Sequence, residues 1–169
     1  MSPTPAIQPE PPAFGLAGRI QAPNSRPRSI ALVGLGQGGA AIARALAGQG
    51  LAQVDVHVLT QSATGGDALA AIKAGGGDLQ RDLTDADMIF IVACPGDDVA
   101  LAPVVSSIAY SRNNSVTALY IVPREGASGE DDATLRTLRS AVEMLVVVSD
   151  ESYVSAMIGA LSAEDQEKR

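Results

Sequence analysis

Tryptophan is absent, aromatic residues make up only 3% of the chain, and 169 residues include a single cysteine and a single histidine. The lone Cys94 excludes a disulfide framework within the chain and a cysteine-based zinc cluster, so a reducing, cytoplasmic setting is expected. No stretch approaches the roughly 18 apolar residues of a membrane-spanning helix, and no basic region leads into an apolar run as in a signal peptide. Positive charge is scarce too: 12 Lys and Arg against 19 Asp and Glu leave a net charge of −7. The basic residues are scattered, and such a surface repels a phosphate backbone, which argues against nucleic acid as a partner. With so few aromatics, a chain that is 46% hydrophobic must build its core from Ala, Val, Leu and Ile. That composition suits parallel strands under small-residue helices.

Proline is crowded at one end. Seven of the ten prolines lie between Met1 and Arg28, at Pro3, Pro5, Pro9, Pro11, Pro12, Pro23 and Pro27, with no apolar periodicity around them. The expected organisation is a disordered Pro-rich tail over 1–28, one domain over 29–162, and a short charged tail over 163–169.

From Ser29 onward, β-rich apolar runs alternate with helical patterns. The runs are Ile30 to Val33, Val54 to Leu59, Met88 to Ala93, Val116 to Val122 and Met144 to Val148. Helices are expected at Gly38 to Ala47, Asp98 to Ser111, Glu130 to Val142 and Glu151 to Leu161. Continuously apolar strands are covered on both faces, so the expected fold is α/β: a Rossmann-like, doubly wound parallel sheet of about five to six strands in three layers. In such a fold ligands sit at the carboxyl ends of the strands.

The first strand runs into Gly34, Gly36, Gly38 and Gly39 and then an alanine-rich helix, the context that a phosphate-cradling GxGxxG loop requires. Glycines there let a ligand approach the backbone, and a helix start aims unpaired N–H groups at an anion. The plainer reading is a turn that lets strand and helix pack closely with no ligand. A dinucleotide binder needs an acidic residue at the end of the second strand for the ribose, and Val58, Leu59, Thr60 and Gln61 offer none. An NAD(P)-dependent or other nucleotide-dependent Rossmann enzyme is therefore the weaker alternative.

Several pieces occur in the order found in one family. They are Ile30 to Gly39, V-L-T-Q-S-A at Val58 to Ala63, A-G-G at Ala74 to Gly76, D-A-D-M-I-F-I-V-A at Asp85 to Ala93, A-P-V-V at Ala102 to Val105, and M-L-V-V-V-S-D at Met144 to Asp150. In these the chain resembles the nucleotide domain of FtsZ and tubulin-like GTPases. The resemblance implies a site for GTP or GDP lined by Gly34, Gly36, Gln37, Gly38, Gly39, Thr60, Gly96, Asp97 and Glu125, and no metal or catalytic residue is assigned. The departures decide what that site can do. Where the family carries a G-G-G-T-G-T-G turn around the phosphates, this chain reads C-P-G-D-D-V-A-L from Cys94 to Leu101. Asp97 and Asp98 would face the polyanion, and one like-charge pair at about 5 Å costs about 3 kcal/mol at an effective dielectric of about 20. Asp97 is alternatively read as the N-cap of the next helix, with Asp98 complementing its dipole. A magnesium ion bridging the two is the less favoured option.

By the same resemblance, the family's central helix, the loop that supplies catalytic aspartates, and its second domain have no counterpart here. The implied protein is a truncated pseudo-GTPase: a cytoplasmic interaction or regulatory module with at most weak nucleotide affinity and no GTP hydrolysis. A ligand-free structural subunit of a larger assembly is the other alternative. Loss of the central helix would bare apolar sheet, so a protein partner or a homo-oligomer is expected to cover it, unless Glu151 to Leu161 packs there itself. His57 has no catalytic constellation around it and is read as structural. Cys94 is expected either as a small buried side chain or as a thiolate stabilised at a helix start. The Glu130, Asp131, Asp132 cluster is read as a helix-start charge pattern.

Overall fold

The computed structural model describes residues 27–60, 79–123 and 132–162. Each of the five apolar runs forms a strand: β1 (Ile30–Leu35), β2 (Val54–Leu59), β3 (Met88–Ala93), β4 (Val116–Ile121) and β5 (Met144–Val148). All pair in parallel, in the order β2-β1-β3-β4-β5. Five helices lie among the described residues: α1 (Gly36–Ala47), α2 (Leu79–Asp85), α3 (Ala102–Tyr110), α4 (Ala133–Ala141) and α5 (Glu151–Ser162). The α/β doubly wound architecture expected from the sequence is therefore the one observed.

Alternation along each strand sends side chains to opposite faces. Ala31, Val33 and Leu35 of β1 join Ile89 and Ile91 of β3 and Tyr120 of β4 against Leu83 of α2, Val105 of α3 and Leu138 of α4. On the other face Ile30, Leu32, Phe90, Val92 and Leu119 pack against Ile42 and Leu46 of α1 and Val154 and Ile158 of α5. Val154 and Ile158 are fully buried. The chain's own last helix therefore packs on apolar sheet, the alternative that the sequence left open for Glu151 to Leu161. Among the described residues the edge strand β5 is the more open, with Met144 and Val147 58% and 55% exposed.

Several element bounds differ from the sequence reading. α3 starts at Ala102, not at Asp98, because residues 97–101 form a turn that drops Val99 and Leu101 into the core. α4 starts at Ala133, not at Glu130, because Asp132 caps it with its side chain accepting from the Thr134 amide. α2 went unread, since its seven residues bury only Leu79 and Leu83. The tails before residue 27 and after residue 162, and the glycines between 61 and 78, lie outside the described residues.

At the amino ends of the central strands, Ser29 and Asp87 clasp β1 to β3. The Ser29 amide and hydroxyl both donate to Asp87 Oδ2, at 3.0 and 3.1 Å, and the Asp87 amide donates back to Ser29 Oγ at 3.0 Å. At the carboxyl ends the chain leaves β1 toward β2 on one side, then crosses to β3 on the other. The crevice between the β1 and β3 loops is this sheet's switch point, the usual ligand position in open α/β sheets.

Candidate functional site

The switch-point crevice is built from two loops. One runs from Gly34 through the first turn of α1, and the other is Cys94 to Leu101, which follows β3. Glycine is required in the first loop by close approach. A Cβ on Gly34 would lie 2.5 Å from Gly39 O, and a Cβ on Gly39 would lie 2.1 Å from Val92 O, so α1 sits directly on the β1–β3 backbone. Gly36 carries φ +70°, and a Cβ there would meet Asp97 Cβ at 2.5 Å.

The amide groups at the start of α1 do point into the crevice as the sequence suggested, but a side chain of this protein already meets them. Asp97 Oδ1 accepts from the Gly38 amide at 2.9 Å and Oδ2 from the Gly39 amide at 2.8 Å. Oδ2 also accepts from the Cys94 amide at 2.8 Å. A carboxylate held by three backbone amides at a helix N-terminus occupies the donors that an anion bound there would need. Asp97 is therefore not the N-cap of the helix that follows it. Leu101 holds that place without a side-chain bond, and Asp97 caps α1, which precedes it by some sixty residues in sequence. Asp98 does not join it: its Oδ1 accepts from the Ala100 amide at 3.0 Å and its side chain serves the local turn. The acidic pair facing one ligand does not form.

A second set of polar groups holds the Asp97 loop. Thr134 Oγ1 donates to the Asp97 carbonyl at 2.7 Å, and the Thr134 amide donates to Asp132 Oδ1 at 2.9 Å. The buried Tyr120 hydroxyl donates to Asp132 Oδ2. Burial works against the Asp132 charge, but hydrogen bonds from Tyr120, Thr134 and the Gly96 amide outweigh it and hold its carboxyl below the usual carboxylate range. Burial, followed by the bond and charge of Asp132, pushes the Tyr120 phenol well above its ordinary value of 10.0. The sequence marked Asp132 only as a helix-start acid and did not single out Tyr120 or Thr134. The D-x-T spacing of Asp132 and Thr134 is the one local signal that was available.

These shifts set the signs of a pH profile. Asp132, depressed in the folded state, stabilises fully above its unfolded value of 3.8, and that contribution is lost as pH falls through the lower folded value. Tyr120, raised in the folded state, stabilises fully below 10.0 and loses that contribution as pH climbs toward its folded value. Replacing Tyr120 with Phe is expected to cost about 1–2 kcal/mol near neutrality, since it strips the charged carboxylate of a donor. It should also flatten the alkaline decline in melting temperature above pH 10, measured by circular dichroism in a pH series.

The remaining expected residues divide clearly. Gly36, Gly38 and Gly39 lie against Asp97, Gly34 packs against Gly39, and Gly96 has φ +81° in the facing loop. Gln37 is exposed at the start of α1. Thr60 follows β2, on the other side of β1 from Asp97, and Glu125 lies outside the described residues. Cys94 is raised to about 11 by burial first and then by the charges of Asp97 and Glu151. Of the two readings of Cys94, the thiolate is disfavoured, first by burial and then by the neighbouring Asp97 carboxylate. His57 Nε2 lies 3.2 Å from Asp82 Oδ2 of α2 without the alignment of a hydrogen bond, a packing contact between β2 and α2. Among the described residues no group of three or more His, Cys, Asp or Glu side chains is placed to hold a metal ion.

No family model matches this chain, and no curated protein is significantly similar to it. Among the described residues no helix is long and apolar enough to cross a membrane. The chemistry of the crevice is thus read from its own geometry: an anion cradle whose three donors are satisfied from within by Asp97.

Proposed function

We propose that this chain is a degenerate FtsZ/tubulin-like nucleotide domain that works as a cytoplasmic protein-interaction or regulatory module and does not turn over GTP. One observation carries the reading: the Asp97 carboxylate accepts from the Gly38, Gly39 and Cys94 amides, where a phosphate of a bound nucleotide would need those donors. A nucleotide would have to displace a charged group from three hydrogen bonds and then share the crevice with it. The more open β5 edge, with Met144, Val147 and the nearby Tyr153 each more than half exposed, is the surface offered to a partner. The same filled cradle also suits a ligand-free structural subunit; the two readings differ in whether that surface is occupied permanently or in exchange.

Thermal-shift and calorimetric titration with GTP, GDP, NAD and NADP, each at 1 mM with magnesium, tests the reading. A ligand with a Kd of about 10 µM would add about 2.7 kcal/mol under those conditions and raise Tm by several degrees. No such rise is expected with any of the four. A several-degree rise with GDP would overturn the pseudo-GTPase reading, and one with NAD or NADP would favour a Rossmann enzyme.

A further inference from the structure

Exposed large apolar side chains gather on one side of this molecule. Among the described residues they are Tyr110, Met144, Val147 and Tyr153. Met144 and Val147 belong to β5, Tyr153 shares a cleft with Val146 and Val148, and Tyr110 shares another with Glu143, the residue before β5. Charge is missing from the same strip: neither Met144 to Ser149 nor Ser152 to Ser162 contains a charged residue. Edge strands are ordinarily guarded by charge or proline, and β5 has neither. The opposite edge, β2, carries Asp55 and His57.

We propose that β5 pairs with β5 of a second copy of this chain, antiparallel about a twofold axis at Val146, so that the two sheets become one. The register follows from the backbone. The Val148 carbonyl accepts from the Val122 amide on the β4 side. By alternation Val146 and Met144 also turn their backbone groups inward, and Leu145 and Val147 turn theirs to the open edge. With Val146 opposite itself, Leu145 of each copy faces Val147 of the other, the arrangement in which two residues exchange both amide-to-carbonyl bonds. A twofold contact must also be self-complementary. Val146 and Val148 lie on the α5 face of the sheet, so both α5 helices come to the same face, and the exposed Tyr153 of each copy lies toward the apolar cleft of the other.

Charge selects the occupant. Each copy carries −7, and molecules of like charge approach best where neither presents any. A basic partner would find no carboxylate along this strip to pair with. The acids that flank β5 are held on opposite sides of the sheet. Asp150 accepts from the Ser152 amide at the start of α5, whereas Glu143 lines the cleft beside Pro103 and Tyr110 of α3. Five residues at about 3.3 Å each make the shared strand about 17 Å long, a short contact for a specific interface, so the dimer exchanges. The second copy then occupies the surface assigned above to a partner. That functional sense rests on the interaction reading, but the pairing itself does not.

Sedimentation and light scattering on the full-length protein, from micromolar to near-millimolar concentration and without nucleotide, test the pairing. The wild type is expected to pass from monomer to dimer across that range. Val147→Pro removes one outward amide and no bond to β4, so it should weaken the dimer at least about tenfold and leave the Tm of dilute protein nearly unchanged. Val147→Lys and Val147→Glu should each stay monomeric alone and recover a dimer when mixed, because the two 147 positions are diagonal neighbours on one face. A wild type that is monomeric throughout would overturn the proposal. So would a Val147→Pro variant that dimerises like the wild type, or a mixture of the Lys and Glu variants that forms no dimer. None of these results involves nucleotide: a rise in Tm with GDP would overturn the reading above and leave the pairing standing.

Discussion

Replacing Asp97 with Ala is expected to lower the stability of the fold by about 3–5 kcal/mol and to create an anion site where none operates in the wild type. The first effect follows from the bonds lost. Hydrogen bonds to a charged acceptor contribute about 1.5–3 kcal/mol each, and stranded donors in a part-buried crevice cost about 1–3 kcal/mol more, only partly relieved by water. The three donors are Gly38, Gly39 and Cys94. The second effect follows from what remains: glycine amides and the positive end of α1 with no counter-charge. Inorganic phosphate or sulfate at tens of millimolar should raise the Tm of Asp97→Ala and leave the wild type almost unmoved. Asp97→Asn is the sharper control. It fills the same space, but its amide nitrogen would point a donor at a donor, so it should be destabilised without gaining the anion response. If Asp97→Ala is as stable as the wild type and indifferent to phosphate, the carboxylate is not the group that satisfies the cradle.

Gly39→Ala is expected to cost about 3 kcal/mol or more, at the upper end for overpacking because the contact is with backbone, and to lower the folded fraction at 37 °C. The added methyl would stand 2.1 Å from Val92 O and 2.9 Å from Val92 C, both backbone atoms of the central strand β3. No rotamer change relieves that contact, so α1 would have to lift from the sheet and carry Ile42 and Leu46 out of the core. Gly48→Ala is the matched control. It lies in right-handed helical geometry, its new methyl would come no closer than 3.4 Å to its neighbours, and it should be neutral or slightly stabilising. Urea melts of the two variants would separate the roles. Similar midpoints would mean that the glycines are there for a ligand and not for the approach of helix to strand.

The strands were legible because each is a continuous apolar run, and burial on both faces of a parallel sheet leaves no other composition open. Val54 to Leu59, Met88 to Ala93 and Met144 to Val148 were bounded to the residue. Helix starts were less legible. A start depends on which polar group captures the first amides, and the group that does so for α1 comes from a loop 59 positions later. An aspartate shortly before a helical pattern is naturally assigned to that helix, and this is how Asp97 was misread. The sequence placed it in the right crevice, but only the packing of β1 against β3 shows which helix it serves. Tyr120 reads as an ordinary core residue until β4 and α4 are set side by side and its hydroxyl meets Asp132.

The pairing of β1 with β3 bears on how the chain is made. Ile30 lies beside Met88, 58 positions further on, and the Ser29–Asp87 clasp spans the same distance. On a ribosome the first strand would wait, with one flank unsatisfied, until that later stretch has cleared the exit tunnel. Any pause in translation before then would leave Ile30 to Leu35 open to chaperones or to sticking elsewhere.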